Sequence, residues 1–334
     1  GDKIGRLIGA APGQVVVADS TSVNLFKLLA AALRLQPERR VILSDTANFP
    51  TDLYMAQGLI ALLDEGHELR RVAPDEVVAA IGPDVAVVML THVDYRSGRF
   101  YDMAAVTEAA HRGGALMLWD LAHSAGALPV ALDACRADLA VGCGYKYLNG
   151  GPGAPAFLYV AVRHQGLARQ PLSGWMGHAA PFAFDLDYHP AAGIESWLCG
   201  TPVVLGMAAL EVGVDLLLAA DMAAIRAKAV ALTQGFLEAV EILLPGLIGL
   251  ASARDPTQRG SQVCLRHPDG YAIVQALIER GVIPDFRASD TLRFGMAPLY
   301  LRHTEMWDAA ESLAEVMRTE SWRAERFQRP AAVT

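Results

Sequence analysis

Cysteines, long apolar runs and clusters of basic residues are scarce in this sequence, and each scarcity excludes a class of protein. The chain has 334 residues and four cysteines, which are too few and too scattered for a disulfide framework and show no zinc-ligand spacing. The longest apolar stretch, residues 201–220, is interrupted by Glu211 and Asp215, so we expect no membrane-spanning segment. The 28 basic and 36 acidic residues give a net charge of −8 without a basic block, which argues against nucleic acid. We expect a reduced, cytoplasmic protein without a metal site.

The size and composition of the chain predict two domains. With 53% apolar and 19% charged residues it can bury a large core, yet it is too long for one compact unit. We predict a large domain over residues 1–205, then a helical connector and a small C-terminal domain over residues 206–334. Because the chain starts at Gly1 without a methionine, we expect the native N-terminus to lie upstream.

Short apolar runs alternate with helical patterns through the first 160 residues. Strands are predicted at residues 15–18, 41–44, 69–72, 85–90, 116–119, 139–143 and 156–160. Helices are predicted between them, for example at residues 23–35, 53–63 and 103–111. This alternation is typical of an α/β fold with a mainly parallel, seven-stranded sheet and helices on both faces. Beyond residue 245 the pattern indicates a smaller α+β domain.

An aspartate and a lysine follow two of these predicted strands. Asp120 ends the run at residues 116–119, and Lys146 follows residues 139–143 in a glycine-rich turn, 26 residues later. Ligands of such sheets gather at the carboxyl ends of the strands. Enzymes that use pyridoxal phosphate need a carboxylate for the pyridine nitrogen and a lysine for the aldehyde. The alternative is a helix cap and a solvated lysine.

Three hydroxyls at residues 20–22 lie where a strand gives way to a helix. A helix N-terminus binds phosphate through free N–H groups, and Thr21 and Ser22 would add donors, although ordinary capping needs only one of the three. Arg293 lies in an apolar strand, where it would bind either a substrate carboxylate or an internal acid.

The motifs and their order resemble the kynureninase family of fold-type I pyridoxal-phosphate enzymes, relatives of the class V aminotransferases. The resemblance covers nearly the whole chain. It rests on residues 19–25 (Asp-Ser-Thr-Ser-Val-Asn-Leu), 49–52 (Phe-Pro-Thr-Asp), 120–123 (Asp-Leu-Ala-His), 145–151 (Tyr-Lys-Tyr-Leu-Asn-Gly-Gly), 174–175 (Gly-Trp), 200–202 (Gly-Thr-Pro) and 292–295 (Leu-Arg-Phe-Gly).

This resemblance implies a role for each matching residue. Lys146 would carry the cofactor aldehyde as a Schiff base, Asp120 would pair with the pyridine nitrogen, and Tyr145 would donate to a developing oxyanion. Arg293 would bind the substrate α-carboxylate. Further contacts with pyridoxal phosphate would come from Thr21, Ser22, Phe49 (stacked on the ring), Asp52, Thr91, His123, Tyr145, Trp175 and Thr201.

The activity implied is hydrolytic cleavage of L-kynurenine, with 3-hydroxykynurenine as a possible second substrate, to anthranilate and L-alanine in tryptophan breakdown. The resemblance also implies a homodimer with active sites at the subunit interface and family chains that are longer at the N-terminus, where part of the substrate pocket would lie. Two alternatives stay open. One is a cysteine desulfurase or class V aminotransferase, for which Cys199 would be the reactive cysteine, and the other is a non-catalytic protein of this fold.

Overall fold

The computed structural model describes residues 1–329, which fall into two compact units. The larger unit comprises Gly1–Val93 and Tyr101–Met222, and the smaller comprises Asp94–Phe100 and the chain from Ala223 onward. The division lies later than the predicted one after residue 205. A cut there would split the helix Val204–Leu218, which belongs to the larger unit, whereas the next helix begins at the division itself.

The larger unit contains seven strands and six α-helices. The strands are β1 (Val15–Val17), β2 (Val41–Asp45), β3 (Glu68–Val72), β4 (Val85–Thr91), β5 (Leu116–Asp120), β6 (Leu139–Cys143) and β7 (Ala156–Val160). The helices are α1 (Asp2–Leu7), α2 (Thr21–Leu35), α3 (Pro50–Leu63), α4 (Met103–Arg112), α5 (Val162–Gln165) and α6 (Val204–Leu218). Short 3-10 helices span Pro74–Glu76, Trp175–Gly177, Pro181–Ala183 and Gly193–Trp197.

All seven strands form one sheet in the order β1-β7-β6-β5-β4-β2-β3. The pairs from β3 to β6 are parallel, and β7 runs antiparallel to both of its neighbours, β6 and β1. Consequently β1 has the same direction as β6, and the carboxyl ends of β1, β2, β4, β5 and β6 share one edge. The predicted mainly parallel sheet is confirmed, and each predicted strand matches an observed one within a residue at either end.

The sheet is buried on both faces, which explains why its strands are continuous apolar runs. In β5, Leu116 and Leu118 belong to the core cluster that includes the apolar residues of α2 and α3. Side chains alternate along a strand, so Trp119 faces the other side. There its indole Nε1 donates to Thr107 Oγ1 of α4 over 3.1 Å. Helices therefore cover both faces of the sheet, as predicted.

The smaller unit is an α+β structure with its own core. Its strands β8 (Gly249–Leu250), β9 (Gln262–Arg266), β10 (Asp285–Arg287) and β11 (Thr291–Gly295) form an antiparallel sheet in the order β10-β11-β9-β8. Its helices are α7 (Met222–Leu243), α8 (Gly270–Glu279), α9 (His303–Arg318) and α10 (Glu325–Gln328), with 3-10 turns at Pro256–Gln258 and Ser321–Arg323. Residues 94–100 join this unit because the Gln262 side chain binds the Asp94 carbonyl and Gly260 N–H binds Gly98.

Within residues 1–329, no helix has both the length and the apolar composition needed to cross a bilayer.

Asp138 anchors the start of β6, at the edge of the sheet opposite the carboxyl ends. Its side chain is 3% exposed and is held by Arg163 Nη2 at 2.6 Å and by the Nε2 atoms of His111 and His164, each at 2.7 Å. The Met117 N–H of β5 donates to the same carboxylate over 2.8 Å. Burial alone would raise the pKa of Asp138, but the hydrogen bonds from His164, Met117, His111 and Arg163 outweigh it and lower that pKa far below its usual range.

We predict that Asp138→Asn lowers the free energy of unfolding by about 3 kcal/mol at pH 7, because Arg163, two histidines and a strand amide lose a buried, charged acceptor. A carboxyl group whose pKa is depressed by folding stabilises the protein above its unfolded pKa of about 3.9 and loses that effect as pH falls further. The gap between wild type and variant should therefore hold from pH 7 to about 4 and shrink below it. Urea titrations at several pH values measure it.

The matched control is Asp84→Asn, because Asp84 pairs with Arg70 at 2.7 Å while both side chains remain exposed. Exposed pairs contribute less than about 1 kcal/mol. Equal losses of stability in the two variants would contradict the anchoring role of Asp138.

Candidate active site

Apart from Trp175 and Thr201, the predicted site residues of the larger unit follow five strands that end at the same edge of the sheet. Thr21 and Ser22 come after β1, Phe49 and Asp52 after β2, Thr91 ends β4, Asp120 ends β5 with His123 just beyond, and Tyr145 and Lys146 follow β6. Thr91 and Asp120 are register partners on adjacent strands. The topology therefore brings segments from more than 120 residues of sequence to one edge of the sheet.

Asp120 and Lys146 form the centre of this arrangement. The Asp120 carboxylate is 3% exposed and accepts a hydrogen bond from the Ala122 N–H over 2.7 Å. Burial raises the pKa of Asp120, and the Lys146 charge opposes the shift. Lys146 Nζ lies 3.0 Å from His123 Nε2. Lys146 thus contacts His123 directly and interacts electrostatically with Asp120.

Asp52 adds a second buried carboxyl group. It is 1% exposed, and its pKa lies well above the usual value because of burial and, next, the charge of Asp120, with Lys146 again opposing. Its Oδ2 is 3.5 Å from Thr91 Oγ1, a weak contact. The charge of Lys146 therefore acts on two buried acids, Asp52 and Asp120. A further positive charge beside them would stabilise both carboxylates. A protonated pyridine nitrogen would supply that charge.

Asn48 organises the residues around Asp52, and its role was not predicted. Its Nδ2 donates to Ser44 Oγ at 2.9 Å and to the Met89 carbonyl at 3.3 Å, which fixes the orientation of the amide. Its Oδ1 then accepts from Thr91 Oγ1 and from the Phe49 N–H. Sequence showed only an asparagine before Pro50, which is typical of a helix start.

A cavity of about 450 Å³ lies beside the N-terminus of α2. Thr21, Ser22 and Tyr145 line it together, as the phosphate-binding prediction requires. Ser20 caps the helix by accepting from Val23 N–H at 3.3 Å, so Thr21 and Ser22 are not needed as caps. Free N–H groups, the helix dipole and two hydroxyls make this cavity suitable for a phosphate group.

Cys199, Gly200 and Pro202 line the cavity, whereas Thr201 and Trp175 are not among its lining residues in the described chain. Trp175 is 40% exposed and packs edge-on against Phe182 at 5.6 Å. Its segment still approaches the cavity, since a Cβ on Gly174 would lie 2.3 Å from the Cys199 carbonyl oxygen. The cofactor contacts of Trp175 and Thr201 stay predictions, and so does the stacking of Phe49.

The turn that carries Lys146 is held by its own backbone and by α6. Asn149 N–H donates to the Lys146 carbonyl at 3.0 Å, and Gly150 N–H donates to Gly144 at 2.9 Å. A Cβ on Gly213 would lie 2.4 Å from the Leu148 carbonyl oxygen, so only glycine lets α6 approach this closely. The lysine therefore projects from a rigid turn.

His92 lies just after Thr91 and packs into the core of the larger unit. It is 5% exposed and meets the ring of Trp119 edge-on at 5.7 Å. Burial lowers the pKa of His92 to about 4, so the imidazole is neutral at pH 7.

Arg293 lies in β11 of the smaller unit, where it has an acidic partner. Its Nε and Nη2 donate to Asp285 Oδ2 at 3.0 and 2.5 Å, and its Nη1 donates to the Tyr95 carbonyl at 3.1 Å. Within residues 1–329 these contacts use three of the five N–H groups of the guanidinium.

The fold and the Asp–Lys arrangement define the class, fold-type I pyridoxal-phosphate enzymes. Solved structures with this fold include a cysteine desulfurase from Thermococcus onnurineus NA1, with a TM-score of 0.80 and 19% identity over 96% of this chain and 82% of that one. Another is the protein C-DES with glycine linked to its pyridoxal phosphate, with a TM-score of 0.81 and 19% identity over 94% and 84%. At this identity they establish the fold alone.

Sequence relatives identify the family. A protein named kynureninase from Burkholderia pseudomallei strain 1106a is 53% identical over 100% of this chain and 82% of its own length. One from Pseudomonas fluorescens is 50% identical with the same coverage. The model of the kynureninase C-terminal domain matches residues 225–313. The chain belongs to the kynureninase family, and the predicted resemblance is confirmed.

The assignment of Lys146 can be tested against every other lysine, since the chain has only Lys3, Lys27, Lys146 and Lys228. We predict that borohydride reduction of the protein with stoichiometric pyridoxal phosphate leaves a pyridoxyl group on Lys146, because its amine alone lies beside Asp120 and His123. Peptide mass spectrometry locates the adduct.

Lys146→Ala should abolish both the adduct and the visible absorption band, and Lys228→Ala should retain both. A main adduct on any of the other three lysines would remove Lys146 from its role.

Proposed function

We propose that the protein is a pyridoxal-phosphate-dependent kynureninase that hydrolyses the Cβ–Cγ bond of L-kynurenine to give anthranilate and L-alanine. The observation that carries the proposal is the group of Asp120, Asp52, His123 and Lys146 at the carboxyl edge of the sheet, in a chain about half identical to proteins named kynureninase. Its place in metabolism would be tryptophan breakdown.

The residues fit the cofactor at both of its ends. The cavity lined by Thr21, Ser22 and Tyr145 would hold the phosphate, and Asp120 would keep a proton on the ring nitrogen. Phe49, Asp52, Thr91 and His123 would surround the ring, with Trp175 and Thr201 completing the contacts at the phosphate end. Bound pyridoxal phosphate supplies a ring that takes up the electron pair when a bond to the substrate carbon breaks.

Lys146 would move the protons of the reaction. Its Nζ would hold the aldehyde of the resting cofactor and, once free, would accept the proton that leaves the substrate Cα. His123 Nε2, 3.0 Å away, would orient the amine. Water then adds to the substrate ketone, and Tyr145 would donate to the oxygen that becomes negative. One water is consumed, and its atoms end in the carboxyl group of anthranilate and on the released alanine.

Incubation with L-kynurenine is the direct test. We expect anthranilate fluorescence to rise in proportion to enzyme, with alanine formed one for one, because hydrolysis yields both from one bond. Asp120→Asn should bind the cofactor but lose most of the turnover, since a neutral ring nitrogen is a poor electron acceptor.

The same assay with 3-hydroxykynurenine ranks the two substrates. Release of alanine from cysteine without any anthranilate from kynurenine would instead favour the desulfurase alternative, and an absence of both products would overturn the proposed activity and leave the aminotransferase and the non-catalytic alternatives.

We also propose that Arg293 binds the substrate α-carboxylate and that Asp285 orients its guanidinium. The support is that Asp285, through a single oxygen, and the Tyr95 carbonyl use three of the five guanidinium N–H groups, so that among the described residues two remain for a ligand. A homodimer with active sites at the subunit interface and a cytoplasmic location complete the proposal.

We predict that Arg293→Leu raises KM for kynurenine about 30- to 1,000-fold, the effect of losing a charge-assisted bidentate contact of about 2–4 kcal/mol. Arg293→Lys should recover only part, because an ammonium lacks the planar fork. Steady-state kinetics and melting temperature are measured on the same preparation.

Asp285→Asn is the matched control, because it weakens the internal ion pair and keeps the arginine. A normal KM in Arg293→Leu together with a large drop in melting temperature would show that the ion pair with Asp285 is the whole role of Arg293.

A further inference from the structure

Lys27 is a buried cation close to the phosphate cavity. It lies in α2, its side chain is 0% exposed, and its Nζ forms an ion pair with Asp19 Oδ2 at 2.5 Å. The same Nζ donates to the Trp197 carbonyl at 2.7 Å. Lys27 does not line the cavity, but Asp19 does. A lysine is almost never buried so completely unless a partner requires it.

Asp19 is an unusual residue to find in the wall of an anion site. Its carboxylate, 31% exposed, would repel a phosphate dianion in the cavity that it shares with Thr21 and Ser22. Its φ of +49° lies in the left-handed region, which aspartate enters more readily than most residues other than glycine.

Two side chains from one face of α2 hold this turn. Asn24 and Lys27, three positions apart, are neighbours on the helix surface. Asn24 Nδ2 donates to the Ala18 carbonyl at 2.8 Å, and Lys27 takes the Asp19 carboxylate. Through the Trp197 carbonyl, Lys27 also reaches the segment whose next residues, Leu198 to Gly200, form another wall of the cavity.

We propose that Lys27 is a positioning residue for the cofactor phosphate, which neutralises the Asp19 carboxylate and holds it away from the phosphate. The inference rests on the proposed placement of the phosphate beside Thr21 and Ser22. Lys27 acts on the phosphate through Asp19 and does not touch it.

The test compares pyridoxal phosphate with pyridoxal, which lacks the phosphate, in binding to the full-length apoenzyme. The measured quantity is the dissociation constant of pyridoxal divided by that of pyridoxal phosphate, each obtained from the absorbance of the bound cofactor. Weaker binding of pyridoxal phosphate alone lowers this ratio. The solution chemistry of free pyridoxal is the same for every variant and cancels in the comparison. Lys27→Met, which keeps the apolar volume, should weaken binding of pyridoxal phosphate about 10- to 100-fold and leave binding of pyridoxal nearly unchanged.

A second substitution separates neutralisation from a merely structural role. In Lys27→Met the repulsive carboxylate remains, so adding Asp19→Asn should restore most of the ratio. A structural lysine would instead lower the melting temperature and weaken both ligands alike, and the added Asp19→Asn would restore nothing. An unchanged ratio in Lys27→Met, or no recovery in the double variant, overturns the proposal.

Control variants distinguish this inference from the placement of the phosphate. Thr21→Val should lower the same ratio, whereas Asp120→Asn, at the ring end, should leave it unchanged. If Thr21→Val has no effect, the phosphate lies elsewhere and the proposed placement fails. If Thr21→Val lowers the ratio and Lys27→Met does not, only the role of Lys27 fails. Should Lys27→Met not fold, Lys27→Gln, which keeps a donor for the Trp197 carbonyl, replaces it.

Discussion

The desolvated imbalance of charge at the carboxyl edge of the sheet is the constraint on which the site depends. Asp52 and Asp120 are both buried, both have raised pKa values, and both depend on the charge of Lys146. Two acids and one lysine are unfavourable together in a place without water, because each carboxylate loses its hydration and repels the other. Such an arrangement persists when a cationic ligand completes it, and a protonated pyridine ring has the required charge.

The rest of the larger unit keeps those three groups in place. The strands fix Thr91 beside Asp120, the amide of Asn48 ties Thr91 to the start of α3, and the close approach of α6 at Gly213 holds the turn beyond Lys146. At the other edge of the sheet, the Asp138 carboxylate contacts two histidines and an arginine. The ion pairs of Asp138 and the unbalanced group of two acids and one lysine therefore lie at opposite edges of one sheet.

The sequence predicted the features that follow from regular patterns. Apolar runs predicted every strand of the large sheet, and the rule that ligands gather at strand carboxyl ends placed Asp120 and Lys146 together. The sequence alone could not predict contacts between side chains that are distant along the chain. The partner of Asp138, the hydrogen bonds of Asn48 and the pairing of Arg293 with Asp285 all depend on tertiary packing. Lys27 did leave a signal, since it is the one charged residue in the apolar run from Val23 to Leu33.

A cysteine desulfurase shares this fold at 19% identity, so the fold alone does not determine the reaction. In the proposed site, the acid at the end of β5 and the lysine after β6 would serve the cofactor, a role that does not determine which substrate bond breaks. Choice of bond must come from groups that touch the substrate. For that role we have proposed the donor at Tyr145, which suits addition of water to a ketone, and the guanidinium of Arg293. Cys199, which a desulfurase would need as a reactive thiol, lies in the wall of the cavity that we propose for the phosphate. A thiol in that wall would be poorly placed to attack a substrate at the cofactor ring, which agrees with hydrolysis at carbon in a chain of the kynureninase family.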